Sequence, residues 1–87
     1  MKPMNLLVIM DDEHNKKVTG YSGHPIVKTP NLDRLAARGT VFENAYSSSP
    51  ICVPARAAFA TGRYVHDNGC WDNAIAYDGS IPSWAHV

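Results

Sequence analysis

The run Asn5-Leu6-Leu7-Val8-Ile9-Met10-Asp11-Asp12 constrains the fold more than any other stretch of this 87-residue chain. Five consecutive apolar side chains closed by two carboxylates are the pattern of a strand buried on both faces. Such strands belong to parallel sheets covered by helices. The carboxyl end of a strand of this kind faces the sheet edge at which α/β proteins bind their ligands. The first element therefore places Asp11 and Asp12 at an edge suited to function.

The rest of the chain extends that pattern. Residues 12–28 are polar and carry two glycines and a proline, which predicts a loop. A helix is predicted from Thr29 to Gly39: Thr29 as N-cap, Pro30 at the first helical position, Leu32, Leu35 and Ala36 on one face, and Gly39 as the stop. A second strand is predicted over residues 40–47, around Val41, Phe42, Ala45 and Tyr46. A second helix is predicted from near Pro54 to Gly62. Strand, helix, strand and helix in that order give a βαβα unit and an α/β class. A further helix is expected to start near Ser80, Ile81 and Pro82, with Trp84, Ala85 and Val87 on its apolar face. Two strands leave a parallel sheet unprotected, and a chain this short buries only roughly 60% of its unfolded surface. Residues 1–87 are therefore expected to be the N-terminal segment of a larger domain, with a homo-oligomer as another way of covering the edge.

Charge and cysteine content narrow the partners. Eight basic and eight acidic residues give a formal net charge of +0. No positive field is expected for nucleic acid or an anionic membrane surface. The longest apolar run is far short of a membrane span, and Lys2-Pro3 before it does not build a secretion signal, so the expected location is the cytoplasm. Cys52 and Cys70 are too few for a disulfide framework. The four histidines, His14, His24, His66 and His86, lack metal-ligand spacing, and no zinc site is expected. His66 reads as a surface loop residue, Cys70 as a buried thiol beside Trp71, and Arg63 as structural.

Two groups could carry chemistry. Cys52 lies just before the predicted second helix, where unpaired N–H groups and the macrodipole favour negative charge, and Arg56 follows one turn in on the same side. This setting suits a nucleophile or a modified nucleophile, whereas an isolated cysteine is otherwise a small buried core residue. Asp11 and Asp12 repel one another unless a cation neutralises them, and all-oxygen ligands favour calcium, magnesium or manganese. A solvated strand end is the alternative for that pair.

Cys52-Val53-Pro54-Ala55-Arg56, running through Ala57-Ala58-Phe59-Ala60 to Thr61-Gly62-Arg63, closely resembles the signature of the type I, or formylglycine, sulfatases. Asp11-Asp12 after the first strand, the stretch from Lys28 to Gly39 and the stretch from Glu43 to Arg56 are similar to the N-terminal part of the same enzymes. The resemblance implies the N-terminal part of an alkaline-phosphatase-like sandwich, with a largely parallel sheet flanked by helices. It implies hydrolysis of small-molecule sulfate esters by a sulfuric ester hydrolase. Cys52 would be oxidised to formylglycine by the formylglycine-generating enzyme and would act as the catalytic residue. Asp11, Asp12 and residue 52 would ligate a divalent metal, usually calcium, and Arg56 would steady the hydrated aldehyde.

Ala55 stands where serine is commonest in that signature. Cys70-Trp71-Asp72-Asn73 resembles the branch that hydrolyses phosphonate monoesters and phosphodiesters, together with neighbouring arylsulfatases, in which the matching Asn73 lines the substrate pocket. Asp12 favours the sulfatase side. Two readings from other classes are a non-catalytic anion-binding module and a thiol redox protein using Cys52 and Cys70. The absence of a Cys-x-x-Cys motif argues against the latter. The segment by itself is expected to be inactive, because Asp11, Asp12 and residue 52 supply only part of a cation's ligand set.

Overall fold

A computed structural model describes residues 1–86. Its elements are α1 (Pro30–Arg38), α2 (Cys52–Thr61), α3 (Val65–Asn68) and a 3-10 turn at Trp84–His86. They fall into two compact units, one over Met1–Phe42 and one from Glu43 onward. Both predicted long helices form. Neither predicted strand does among the described residues, which corrects the expectation for residues 6–10 and 40–47. A helix closes its hydrogen bonds within its own sequence, but a strand needs a neighbour to receive its N–H and C=O groups. Leu6, Leu7 and Ile9 are accordingly 82–87% exposed.

The first unit is organised by polar contacts around α1. Pro30 occupies the first helical position, and Asp33 and Arg38 match the ends of the helix dipole. Thr29 is the N-cap residue, yet its hydroxyl makes no capping bond to the helix. Instead Thr29 Oγ1 accepts from the Gly20 N–H at 2.8 Å and donates to Asp33 Oδ1 at 2.8 Å. Asp33 Oδ1 also accepts from the Tyr21 N–H at 2.8 Å. The loop before the helix is thereby clamped to its first turn. A Cβ at Gly20 would meet the Asp33 carboxylate, which would have to leave its place in this clamp. Thr19, the neighbour inside this clamp, is buried and shares a 2.7 Å hydrogen bond with Ser22 Oγ. Leu32 and Leu35 on α1 remain exposed.

The second unit has a small core made by α2. Pro54, Ala57 and Ala58 are its buried residues, and Cys70 is buried with them in the unit, as expected of that thiol. Small side chains let α3 and the 3-10 turn pack against α2, with Phe59 edge-on to Trp84 at 6.3 Å between ring centroids. The Thr-Gly-Arg ending is a helix stop. Thr61 Oγ1 donates to the Ala57 carbonyl at 2.7 Å, and Gly62, at φ 67°, donates its N–H to the Ala58 carbonyl at 2.8 Å. That left-handed conformation favours glycine.

Three local expectations change. The second helix begins at Cys52, two residues before the predicted start near Pro54. Proline is tolerated at the third helical position, since the first-turn N–H groups have no intrahelical partner in any case. His66 lies on the short helix α3 and stacks on Tyr64 at 5.6 Å, exposed as expected but not in a loop. The helix expected from about residue 80 is only the 3-10 turn, and Val87, assigned to its apolar face, lies outside the described residues. Tyr77 takes up part of this stretch by donating its hydroxyl to the Ile81 carbonyl and accepting the Ile81 N–H at 2.9 Å.

Candidate active site

Cys52 is the first residue of α2, not a residue just outside it, and it is an exposed free thiol. Arg56, also exposed, follows four positions later, so both lie on one face of the helix. The N-cap residue Ile51 is extended, with φ −117° and ψ 160°, and has no side chain able to cap. Within the first turn Ala55 donates its N–H to the Ile51 carbonyl at 3.1 Å, and Pro54 has no N–H to donate. Two amide donors, those of Cys52 and Val53, remain at the entrance. The Val53 N–H donates to Asn73 Oδ1 at 2.9 Å. Asn73 therefore stands beside residue 52, at the end of α2 that carries the thiol.

The short turn that holds Asn73 is built locally. Asp72 Oδ1 accepts from the Ala74 N–H at 2.7 Å and from the Ile75 N–H at 3.2 Å. Cys70 anchors the other side: it is 2% exposed and donates its N–H to Asn68 Oδ1 at 2.9 Å. Cys52, Arg56 and Asn73 thus all belong to the second unit.

Asp11 and Asp12 belong to the first unit. Asp11 Oδ2 lies 2.7 Å from His14 Nδ1, and His14 Nε2 lies 3.2 Å from the Val18 carbonyl oxygen. An oxygen stands at each ring nitrogen, and which nitrogen donates depends on the tautomer. Glu13, between them, has φ 54°, an uncommon backbone state for a non-glycine residue, and the chain bends there. Among the described residues no three His, Cys, Asp or Glu side chains gather as a complete cation site. The adjacent carboxylates suit a hard cation by donor type and supply part of a ligand set.

Two features of the site were missed from the sequence. The Asp11–His14 pair has a signal, a carboxylate and an imidazole three residues apart in a polar turn. The Asn73–Val53 bond spans 20 positions and has no local signal beyond the missing polar cap before Cys52.

Comparison with known proteins gives a uniform result. The family model described as Sulfatase matches residues 3–86. Choline-sulfatase of Rhizobium meliloti is 43% identical over 82 residues, covering 94% of this chain and 16% of that protein. Arylsulfatase K of Bos taurus is 37% identical over 83 residues, covering 95% and 15% respectively. N-acetylgalactosamine-6-sulfatase of Homo sapiens is 43% identical over 82 residues, covering 93% and 16%. The chain thus spans only about one sixth of the length of these relatives. No solved structure gave a significant match.

Proposed function

The chain belongs to the sulfatase family, and on that premise we propose that it carries the nucleophile of a sulfate ester hydrolase within an α/β domain. The observation that carries this reading is the exposed residue 52 at the first position of α2, with Arg56 one turn behind it and Asn73 at the helix entrance. A nucleophile there is reachable by substrate and lies where helix dipole and guanidinium both favour negative charge.

In this reading a formylglycine-generating enzyme oxidises the Cys52 side-chain carbon to an aldehyde with molecular oxygen as the oxidant, the C–S bond breaks and the sulfur leaves as sulfide, and the aldehyde is hydrated. One hydroxyl oxygen attacks the ester sulfur, the bond from sulfur to the alkoxy oxygen breaks, and the alcohol leaves. The second hydroxyl then loses its proton, the bond from carbon to the sulfated oxygen breaks, sulfate departs and the aldehyde is restored. Arg56 offers a planar fork of donors to the oxygens that carry charge in both steps. The amide Nδ2 of Asn73 offers a donor to an ester oxygen. Asp11 and Asp12 contribute carboxylate oxygens toward a divalent ion, of which calcium suits the donor type, and the bound ion would supply charge neutralisation for an anionic nucleophile and an anionic substrate.

The test is to assay the full-length protein on an aryl sulfate and on a phosphonate monoester, with and without chelator, alongside mass measurement of the peptide holding residue 52. Preferred sulfate hydrolysis, chelator sensitivity and an aldehyde at residue 52 are the expected outcome. Preferred phosphonate hydrolysis would move the protein to the neighbouring branch. An unmodified thiol with no turnover would leave an anion-binding module, and a disulfide would favour a redox role.

A further inference from the structure

We infer that Asn73 is a positioning residue for residue 52, acting by capping α2 from 20 residues downstream. The inference rests on residue 52 being the reacting group. Helix entrances are ordinarily capped by the residue immediately before the helix, whose side-chain oxygen accepts a first-turn N–H. Here that residue is Ile51, which has no acceptor, and no side-chain cap is made from that position. Pro54 removes one of the donors that would otherwise need a partner, and Ala55 is bonded to Ile51. The Val53 N–H is taken by Asn73 Oδ1 at 2.9 Å. This bond is attached to the backbone of the residue that directly follows residue 52.

The geometry of the cap is set by the turn that carries Asn73, which lies outside α2. Asp72 closes the turn on the Ala74 and Ile75 N–H groups, and Cys70, almost fully buried, fixes where that turn begins. The bond itself is at the surface, where water could replace it at little cost in overall stability. Its consequence is therefore orientation: it fixes the direction in which the chain enters α2 and hence where residue 52 stands relative to the helix axis. Displacements near 1 Å at a reacting group cost up to about a hundredfold in rate, so a weak tie at this point has leverage that its own strength does not suggest.

Two substitutions separate this role from a direct contact with substrate. Asn73→Ala removes the acceptor. Asn73→Asp keeps an acceptor oxygen, and a carboxylate at a helix N-terminus is favourable, but it loses the amide donor. In the full-length protein, two readouts would be taken: hydrogen exchange of the peptide spanning residues 50–55, and kcat and KM on an aryl sulfate. Mass measurement would check that residue 52 is converted equally in every variant. Asn73→Ala should speed exchange of the Val53 amide about fivefold and lower kcat about tenfold, and, with the amide donor gone as well, raise KM. Asn73→Asp should restore exchange protection and regain part of the kcat that Asn73→Ala loses, while its KM stays raised for want of the amide donor. The inference is overturned if exchange is unchanged in Asn73→Ala, or if Asn73→Asp behaves as Asn73→Ala does in exchange and kcat. A rise in KM in both variants at constant kcat would make Asn73 a substrate contact only. Should the wild-type protein hydrolyse no ester, the functional reading falls, and the exchange measurement by itself still decides whether Asn73 holds the entrance of α2.

Discussion

The stretch from Leu6 to Asp12 and the stretch from Cys52 to Gly62 are both read from the sequence as regular elements bearing functional residues, yet only the second is regular in the structure. In α2 each turn is closed by residues four positions away, and the stop at Gly62 is equally local. Residues 6–10 have every apolar property of a buried strand and are exposed, because a strand is completed by hydrogen bonds from another segment. The candidate residues of the two units therefore differ in kind. Cys52 is placed by an element that builds itself and by one long-range tie. Asp11 is held by its own neighbourhood, through His14 and the bend at Glu13.

This contrast can be broken most directly at residue 52. Cys52→Ala in the full-length protein should lower kcat by more than about a thousandfold, with an unchanged helical circular dichroism signal, since an exposed side chain at the first helical position contributes little packing. Loss of helix in that variant would mean that α2 does not stand by itself. On the other side, Asp11→Asn should raise the calcium concentration needed for half-maximal turnover by about tenfold or more, read from chelator-stripped enzyme titrated with the ion. An unchanged calcium response would separate the first unit from the metal.

Smaller effects test the local frames. Gly20→Ala should cost about 2 kcal/mol in urea unfolding, by forcing Asp33 off the Tyr21 N–H and Thr29 hydroxyl. Its effect should fall on hydrogen exchange around residues 19–33 and spare α2. Gly62→Ala should cost about 1 kcal/mol, the strain of a left-handed backbone with a Cβ, and a neutral result would show that α2 can end in another way. The smallest effect is electrostatic. The Ser80 hydroxyl and then the Ser80 N–H hold the Asp78 carboxyl below its ordinary value. Its contribution to stability is therefore present at neutral pH and lost as pH falls through that depressed value. A carboxyl titration of Asp78 by NMR should show the lowered midpoint, and Asp78→Asn should remove this residue's share of the acid-limb dependence.

What could be read directly from the residues was whatever is local. Thr29-Pro30 and Gly39 bound α1, and Gly62 ends α2, because proline, glycine and helix periodicity act over a few positions. The nucleophile candidate and its arginine were legible for the same reason: four residues on one helix fix a shared face. Tertiary structure alone decided three things. It set the start of α2 at Cys52, since proline is compatible with several first-turn positions and only the surrounding packing selects one. It gave the Thr29 hydroxyl to Gly20 and Asp33, because a side-chain oxygen bonds whichever donor the fold brings near. It brought Asn73 to the Val53 N–H, a pairing that no periodicity encodes, since it depends on the buried Cys70 and the turn at Asp72 arriving at the same place as the uncapped end of a helix.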